Sequence, residues 1–422
     1  MNVFKFGGAS VKDAEAVVNV GNILKRYQNQ KLLVVISAMG KTTNGLERML
    51  NAWYDGNSED AAVELADIKS FHNTIIGHLI GGDLQNNYHE VDNLFIELEC
   101  YIETRPVNTE FDFLYDQIIG YGELISTKII SIYLQTVGIN NRWLDARNFI
   151  NTTEDYRQAR INWGSTEEII SNRLKPIVDR QLVITQGFIG RTNRNNTTTL
   201  GREGSDYSAS IFAYCLNAES VTIWKDVAGV MNADPKRMEN TIIMHEISFS
   251  KAIELAYYGA TILHPKTIQP LLRKSIPLYV KSFLNPEAEG SVIKEKITNE
   301  EESIPCYIFK DDQVLVNLSS KDFSFIVESH LSSVFTMLAA AKVQINLMQN
   351  SAISFSFCSN YDERKFNPLI DQLSEIFAIE VVKNLTLITL HNYKKQGLPS
   401  LLDSKAILME QHSKNVVQYV YR

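Results

Sequence analysis

The sequence predicts an α/β domain over residues 1–295, a mostly parallel central sheet between helix layers, followed by α+β ferredoxin-like modules. Two observations predict it. Short apolar runs (Val3–Phe6, Lys31–Ser37, Leu182–Gly190, Val221–Trp224) each enter a glycine- or hydroxyl-rich loop, and helical stripes follow; such repeated units build doubly covered sheets with ligand loops at the strand C-termini. After the solvated linker Glu300-Glu301-Glu302 the periodicities change to the order β-α-β-β-α-β, the ferredoxin-like unit.

Composition bounds the function. The 422 residues suffice for two or three domains. A net charge of −8 argues against nucleic acid or an anionic membrane as partner. The four cysteines are far apart and lack a Cys-x-x-Cys pair, so a reducing cytoplasm is expected and a zinc site is not. The chain enters a strand directly, so no signal peptide is expected. No apolar run approaches the ~20 residues that span a bilayer.

The first strand ends in Lys5-Phe6-Gly7-Gly8-Ala9-Ser10. A lysine near the C-terminal end of a buried parallel strand needs an anion, and a phosphate supplies one. The second strand runs into Ser37-Ala38-Met39-Gly40-Lys41-Thr42-Thr43. Gly40-Lys41-Thr42 is not a P-loop, because the required earlier glycine is Val35; Ser37 and Thr43 remain candidates for polar contacts. Residues 46–116 read as a helical insertion in which His72, His78 and His89 lack metal-ligand spacing. Glu123 opens a further apolar helix, where a carboxylate is favoured by the helix dipole and could receive an ammonium.

The organising stretch is Thr197 to Ser210. Its glycines permit close approach of a ligand, and a helix start offers free backbone N–H groups. Arg202 can fork onto a carboxylate or phosphate, and Asp206 can hold a metal ion or orient a cation. Next, Lys225 to Lys236 forms a turn-rich loop suited to clamp a nucleotide, and a helix over Phe249–Tyr258 precedes His264-Pro265. The tail divides into a module over residues 303–384 and a shortened copy over 385–422, with a short helix near Leu398–Leu402. It carries no glycine-rich phosphate loop, which favours binding or dimerisation over catalysis.

Taken together, Lys5–Ser10, Thr198–Asp206 and Trp224–Val227 through Asp234-Pro235-Lys236 resemble the aspartokinases of the amino-acid kinase superfamily, and Ser37–Asn44, Gly122-Glu123 and Gly259–Pro265 match as well. The tail resembles that family's paired ACT domains. The resemblance implies ATP-dependent phosphorylation of the side-chain carboxylate of L-aspartate, with Mg²⁺ bound mainly through the ATP phosphates and a homodimer built through the tail. By the same resemblance Lys5 would neutralise the transferring group, helped by Gly7, Gly8 and the backbone near Ser37, and Asp206 would order Lys5 and the metal–phosphate cluster. Arg202 would grip the aspartate α-carboxylate and Glu123 its ammonium, with Thr43, Gly204 and Ser205 as further contacts. Lys225, Asp226, Met231, Lys236 and the backbone at Thr261 would hold ATP.

Several positions depart from the family pattern: Ala9 and Glu203 in the two glycine motifs, and Met231 and Thr261 at the nucleotide. The rival readings are another superfamily kinase, acting on glutamate or acetylglutamate, and a degenerate kinase that senses an amino acid. Lysine-sensitive relatives hold their effector in the first ACT module. There this chain has Ser329–Ser333 without glycine, and neutral Asn346, so a weak response to lysine is expected.

Overall fold

The apolar runs pair into one sheet. In the computed structural model, which describes residues 1–80, 88–104, 109–260, 263–297, 303–322, 324–393 and 402–422, the first ten strands are β1 (Asn2–Phe6), β2 (Leu32–Ile36), β3 (Asn141–Trp143), β4 (Leu182–Gln186), β5 (Ile189–Arg191), β6 (Thr197–Thr199), β7 (Ser220–Lys225), β8 (Glu246–Ser248), β9 (Leu278–Ser282) and β10 (Ser291–Lys294). Eight of these form the order β3-β4-β2-β1-β7-β9-β10-β8. All neighbours are parallel except β9 and β10. Every residue of β2 and β4 is buried, as expected of strands covered on both faces. Register sets Phe6 opposite both Ile36 and Trp224. The loops after β1, β2 and β7 therefore leave the sheet side by side.

Helices α1 (Ala14–Arg26), α2 (Thr42–Tyr54), α3 (Ser58–Ile80), α4 (His89–Glu103), α5 (Phe111–Ile119), α6 (Tyr121–Thr136), α7 (Trp163–Ile169), α8 (Lys175–Val178), α9 (Gly204–Leu216), α10 (Phe249–Tyr258) and α11 (Pro265–Arg273) accompany it. Helices α2 to α5 make up the helical insertion. His72 is fully buried there, with Nδ1 2.7 Å from the Ile68 carbonyl oxygen and Nε2 3.4 Å from Thr42 Oγ1. Burial pushes its pKa down to about 4, so it is a neutral packing residue. His264 caps α11, its Nδ1 accepting from the Lys266 amide at 3.1 Å. The break read at Gly81-Gly82-Asp83 lies outside the described residues.

One refinement concerns the organising stretch. Thr197–Thr199 is not loop but strand β6, paired antiparallel with β5. The run read as one strand from Leu182 to Gly190 breaks after Gln186, and Phe188 takes a left-handed φ of 68°. A small hairpin thus stands between β4 and α9.

By its contacts the chain divides into two units, the first holding Met1–Val230, Ile243–Ile253 and Ile262–Glu302, the second Met231–Ile242, Glu254–Thr261 and Ser303–Arg422. The second unit contains β11 (Cys306–Ser320), α12 (Glu328–Ala340), β12 (Ile345–Asn350), β13 (Ser354–Asn360), α13 (Glu363–Ile376), β14 (Phe377–His391), β15 (Ile407–His412) and β16 (Val416–Tyr421). Its sheet, β12-β13-β11-β14-β16-β15, is antiparallel throughout. From β11 to β14 the order is β-α-β-β-α-β, as the periodicity predicts. Strand β14 runs unbroken through residues 384 and 385, where the sequence suggests a module boundary. The β11–β14 pair slips register between Lys310 and Leu315, so the two halves share one sheet with an irregularity at its middle. The linker glutamates and most of the short helix near Leu398–Leu402 lie outside the described residues. Phe355 and Phe357 are buried against α12 and α13 of the same chain. In the alternating run Ile353–Phe357 the two phenylalanines are thus covered within the chain, whereas Ile353 stays exposed.

Candidate active site

The site begins with Lys5 on β1. Its side chain is buried, and Nζ lies 2.6 Å from Asp206 Oδ1. Lys225, at the end of neighbouring β7, places Nζ 3.7 Å from the other oxygen, Oδ2. Burial would raise the pKa of Asp206, but the two lysines outweigh it and hold the carboxyl below its usual range. Asp206 occupies the first turn of α9 and is itself buried. One carboxylate thus orders two cations at the C-terminal edge of the sheet, where α/β folds bind ligands.

The two glycine-bearing loops are interlocked. The Gly40 amide donates to the Gly8 carbonyl oxygen at 3.1 Å, and the Ser37 amide donates to that of Phe6 at 3.0 Å. A Cβ on Gly8 would lie 2.9 Å from the Ala38 carbonyl oxygen, closer than a side chain tolerates. Gly187 does the same service for α9: a Cβ there would lie 2.4 Å from that of Ser205. The first turn of α9 therefore sits directly on the chain leaving β4.

Glu123 lies in the first turn of α6 and is buried. The Ala38 amide approaches its Oε1 at 3.4 Å, while Oε2 is buried without a hydrogen-bond partner. Burial pushes its pKa up to about 8, against the opposing pull of the Ala38 amide and of Lys5. An orphaned carboxylate oxygen inside a protein is costly unless something donates to it. The α6 backbone that carries Glu123 is fastened by Ser126 Oγ, which donates to the Ser37 carbonyl oxygen at 2.7 Å, and by Thr127 Oγ1, which accepts from Gln186 Nε2 at 2.7 Å.

Arg202 is exposed and makes no ion pair or hydrogen bond within the described residues. Beside it Glu203 adopts a left-handed φ of 54° at the N-cap of α9. Burial raises its carboxyl pKa against the attraction of Lys225, and its Oε2 has no hydrogen-bond partner. Gly204 and Ser205 are buried, and Thr43 is half-buried in the first turn of α2.

The first unit therefore brings together Lys5, Gly7, Gly8 and Ser37 on adjoining strands and loops, and Asp206 with Lys225. Glu123 joins them through Ala38. Asp226 is exposed just beyond Lys225. Met231 and Lys236 belong to the second unit, and Thr261 lies outside the described residues. Sequence reasoning missed Asp116, on α5. It is fully buried and accepts from three donors, the amides of Arg157 and Thr199 and the Thr199 hydroxyl. The one available signal was the polar pair Asp116-Gln117 interrupting an apolar run, Phe113-Leu114-Tyr115 before it and Ile118-Ile119 after it.

Comparison with known proteins fits this geometry. The amino acid kinase family profile matches residues 1–282. Lysine-sensitive aspartokinase 3 of Escherichia coli is 31% identical over 399 residues, covering 92% of this chain and 86% of that protein. A bifunctional aspartokinase/homoserine dehydrogenase of Arabidopsis thaliana is 27% identical, and there the alignment covers 95% of this chain but 45% of the longer relative. Among solved structures, E. coli aspartokinase III in complex with aspartate and ADP superposes with a TM-score of 0.83 at 28% identity, covering 100% of this chain and 96% of that one.

Proposed function

This chain belongs to the amino acid kinase family, among the aspartokinases, and from that premise we propose that it transfers the γ-phosphoryl group of ATP to the side-chain carboxylate of L-aspartate. The product is 4-phospho-L-aspartate, the first intermediate toward lysine, threonine and methionine. The observation that carries the reading is the buried ion pair between Lys5 and Asp206 on the central strand edge. Phosphoryl transfer needs positioning and charge neutralisation more than covalent help. The acceptor carboxylate is already ionised, so no general base is required.

In this reading Lys5, held by Asp206, meets the negative charge that develops on the transferring group. Gly7, Gly8 and the backbone at Ser37 shape the phosphate path. Glu123 receives the aspartate ammonium, which would satisfy its buried Oε2. Arg202 forks onto the α-carboxylate, with Thr43, Gly204 and Ser205 lining the amino acid. On the first unit, Lys225 and Asp226 meet the nucleotide. Asp206 is already matched to two lysines, so Mg²⁺ would arrive with ATP, bound chiefly through its phosphates.

A homodimer through the tail follows from the resemblance. The open edge of β12 and the exposed side chains of Phe325, Met348 and Ile353 support it. Sedimentation as a dimer at micromolar concentration tests it, and a monomer overturns it. No helix among the described residues is long and apolar enough to cross a membrane; the cytoplasm is the proposed location.

The test of function is ADP release with Mg·ATP and trapping of the acyl phosphate by hydroxylamine. L-Aspartate should give product, and L-glutamate much less, because its extra methylene moves the carboxylate out of line. No product with aspartate, or equal product with glutamate, rejects the reading.

A further inference from the structure

Asp116 stands outside every role assigned above, yet it is the most heavily bonded buried carboxylate of the first unit. Its Oδ2 accepts from the Thr199 amide at 2.9 Å, and its Oδ1 from Thr199 Oγ1 at 2.7 Å. The Arg157 amide is shared between both oxygens at 3.0 Å. No cation pairs with it among these contacts; backbone and hydroxyl donors alone stabilise it.

The next residue completes the attachment. Gln117 Oε1 accepts from the Thr197 amide at 3.0 Å, and its Nε2 donates to the Thr197 carbonyl oxygen at 2.8 Å. Strand β6 is thereby bonded at both ends to the last turns of α5, and on its other side to β5. The segment after Arg157 joins in, the Ala159 amide donating to the Thr199 carbonyl oxygen at 3.0 Å.

Both directions along the chain lead to the amino-acid site. Three residues after Thr199 comes Arg202, through a tight loop in which the Leu200 amide donates to the Phe188 carbonyl oxygen at 2.9 Å. Shortly after Asp116 comes Glu123, past Gly120, which packs against Ile189 and Thr197. The two residues proposed to grip the ammonium and the α-carboxylate of the amino acid thus lie on segments joined by one carboxylate.

We infer that Asp116 is the positioning residue that fixes the spacing between the ammonium receptor Glu123 and the carboxylate-binding Arg202, and hence sets acceptor affinity. The inference rests on the aspartokinase reading. Asp116 touches no substrate; it acts through β6 and α5. A displacement of ~1 Å between gripping groups is enough to cost a large factor in a reaction that depends on alignment.

The test is Asp116→Asn, which keeps the shape but replaces one acceptor oxygen by a donor facing other donors. We expect the aspartate KM to rise about tenfold, the scale of one or two lost hydrogen bonds to a charged group, with the ATP KM changed less than twofold. Thr199→Val removes the hydroxyl donor at constant shape and keeps the test open if Asp116→Asn folds poorly; it should move the same parameters by a smaller factor. A lowered Tm with both KM values unchanged in the folded variants gives Asp116 a structural role only and overturns the inference. A wild type that neither binds nor phosphorylates aspartate overturns the proposed function and this inference with it. A wild type that turns over aspartate beside unaffected variants overturns this inference alone.

Discussion

Lys5 Nζ and Asp206 Oδ1 are 2.6 Å apart, with both side chains withdrawn from solvent. Such a pair is poorly suited to stabilising a fold, since burying two charges costs about as much as their attraction returns. It is well suited to holding a cation ready where negative charge will develop.

Replacing Lys5 by Met should therefore lower kcat by ~10²-fold or more with a smaller change in the aspartate KM. It should also destabilise the protein, by roughly 3–5 kcal/mol, because Asp206 is left buried with only the more distant Lys225. Adding Asp206→Leu should restore much of the stability and none of the activity. A Lys5→Met enzyme with kcat within about twofold of wild type removes Lys5 from the mechanism.

How much of this was legible follows from where the signals lie. Lys5, Gly7-Gly8 and the loop ending in Asp206 announce themselves because chemistry-bearing residues interrupt apolar runs. The hairpin of β5 and β6 does not, because Thr197-Thr198-Thr199 has no apolar alternation to set against the polar turn. Asp116 was hidden for another reason. Its partners are backbone amides 41 and 83 residues away in the chain, and backbone donors leave no mark in a sequence. The module boundary suggested between residues 384 and 385 falls inside β14; Asn384 takes a left-handed φ of 58° there, and the strand continues through it.

Glu123 makes substrate capture pH-dependent. Its carboxyl titrates at about 8 in place of the ordinary 4.5, chiefly through burial. An ammonium binds the ionised form, so kcat/KM for aspartate should climb through neutrality by up to about tenfold per pH unit and level off above pH 8. The sign for stability is opposite. A raised folded-state pKa gives stability that is full below the unfolded value of 4.5 and lost as pH rises to about 8. Saturating aspartate should offset that loss. Glu123→Gln should flatten the profile and raise the aspartate KM; an unaltered profile in this variant would assign the titration elsewhere.

Glu203 stands where a glycine would be at ease. A left-handed φ of 54° costs a non-glycine residue about 1 kcal/mol, and its carboxyl adds negative charge beside Lys225. Glu203→Gly should raise thermal stability and lower the ATP KM several-fold, because the phosphates no longer compete with a fixed anion. If the ATP KM rises instead, the carboxylate assists nucleotide binding.

Feedback by lysine should be weak, and the second unit supplies the reason. Asn346 is not an empty position awaiting an effector. Its Oδ1 accepts from Lys310 Nζ at 2.8 Å, and its Nδ2 donates to Gln313 Oε1 at 2.7 Å and to Asn360 Oδ1 at 2.8 Å. Lys310 is partly desolvated, and burial lowers its pKa, so the neighbourhood already holds one ammonium against neutral partners only. A second would meet repulsion and no countercharge. Titration of the aspartate-dependent ADP release with lysine should leave activity nearly unchanged at concentrations that saturate a sensitive enzyme, and calorimetry should show no tight site. Asn346→Asp should not create sensitivity, since the new carboxylate would pair with Lys310; sensitivity gained in the double variant Asn346→Asp with Lys310→Met would locate the block at that lysine. Strong inhibition of the wild type would show that the effector is received away from Asn346.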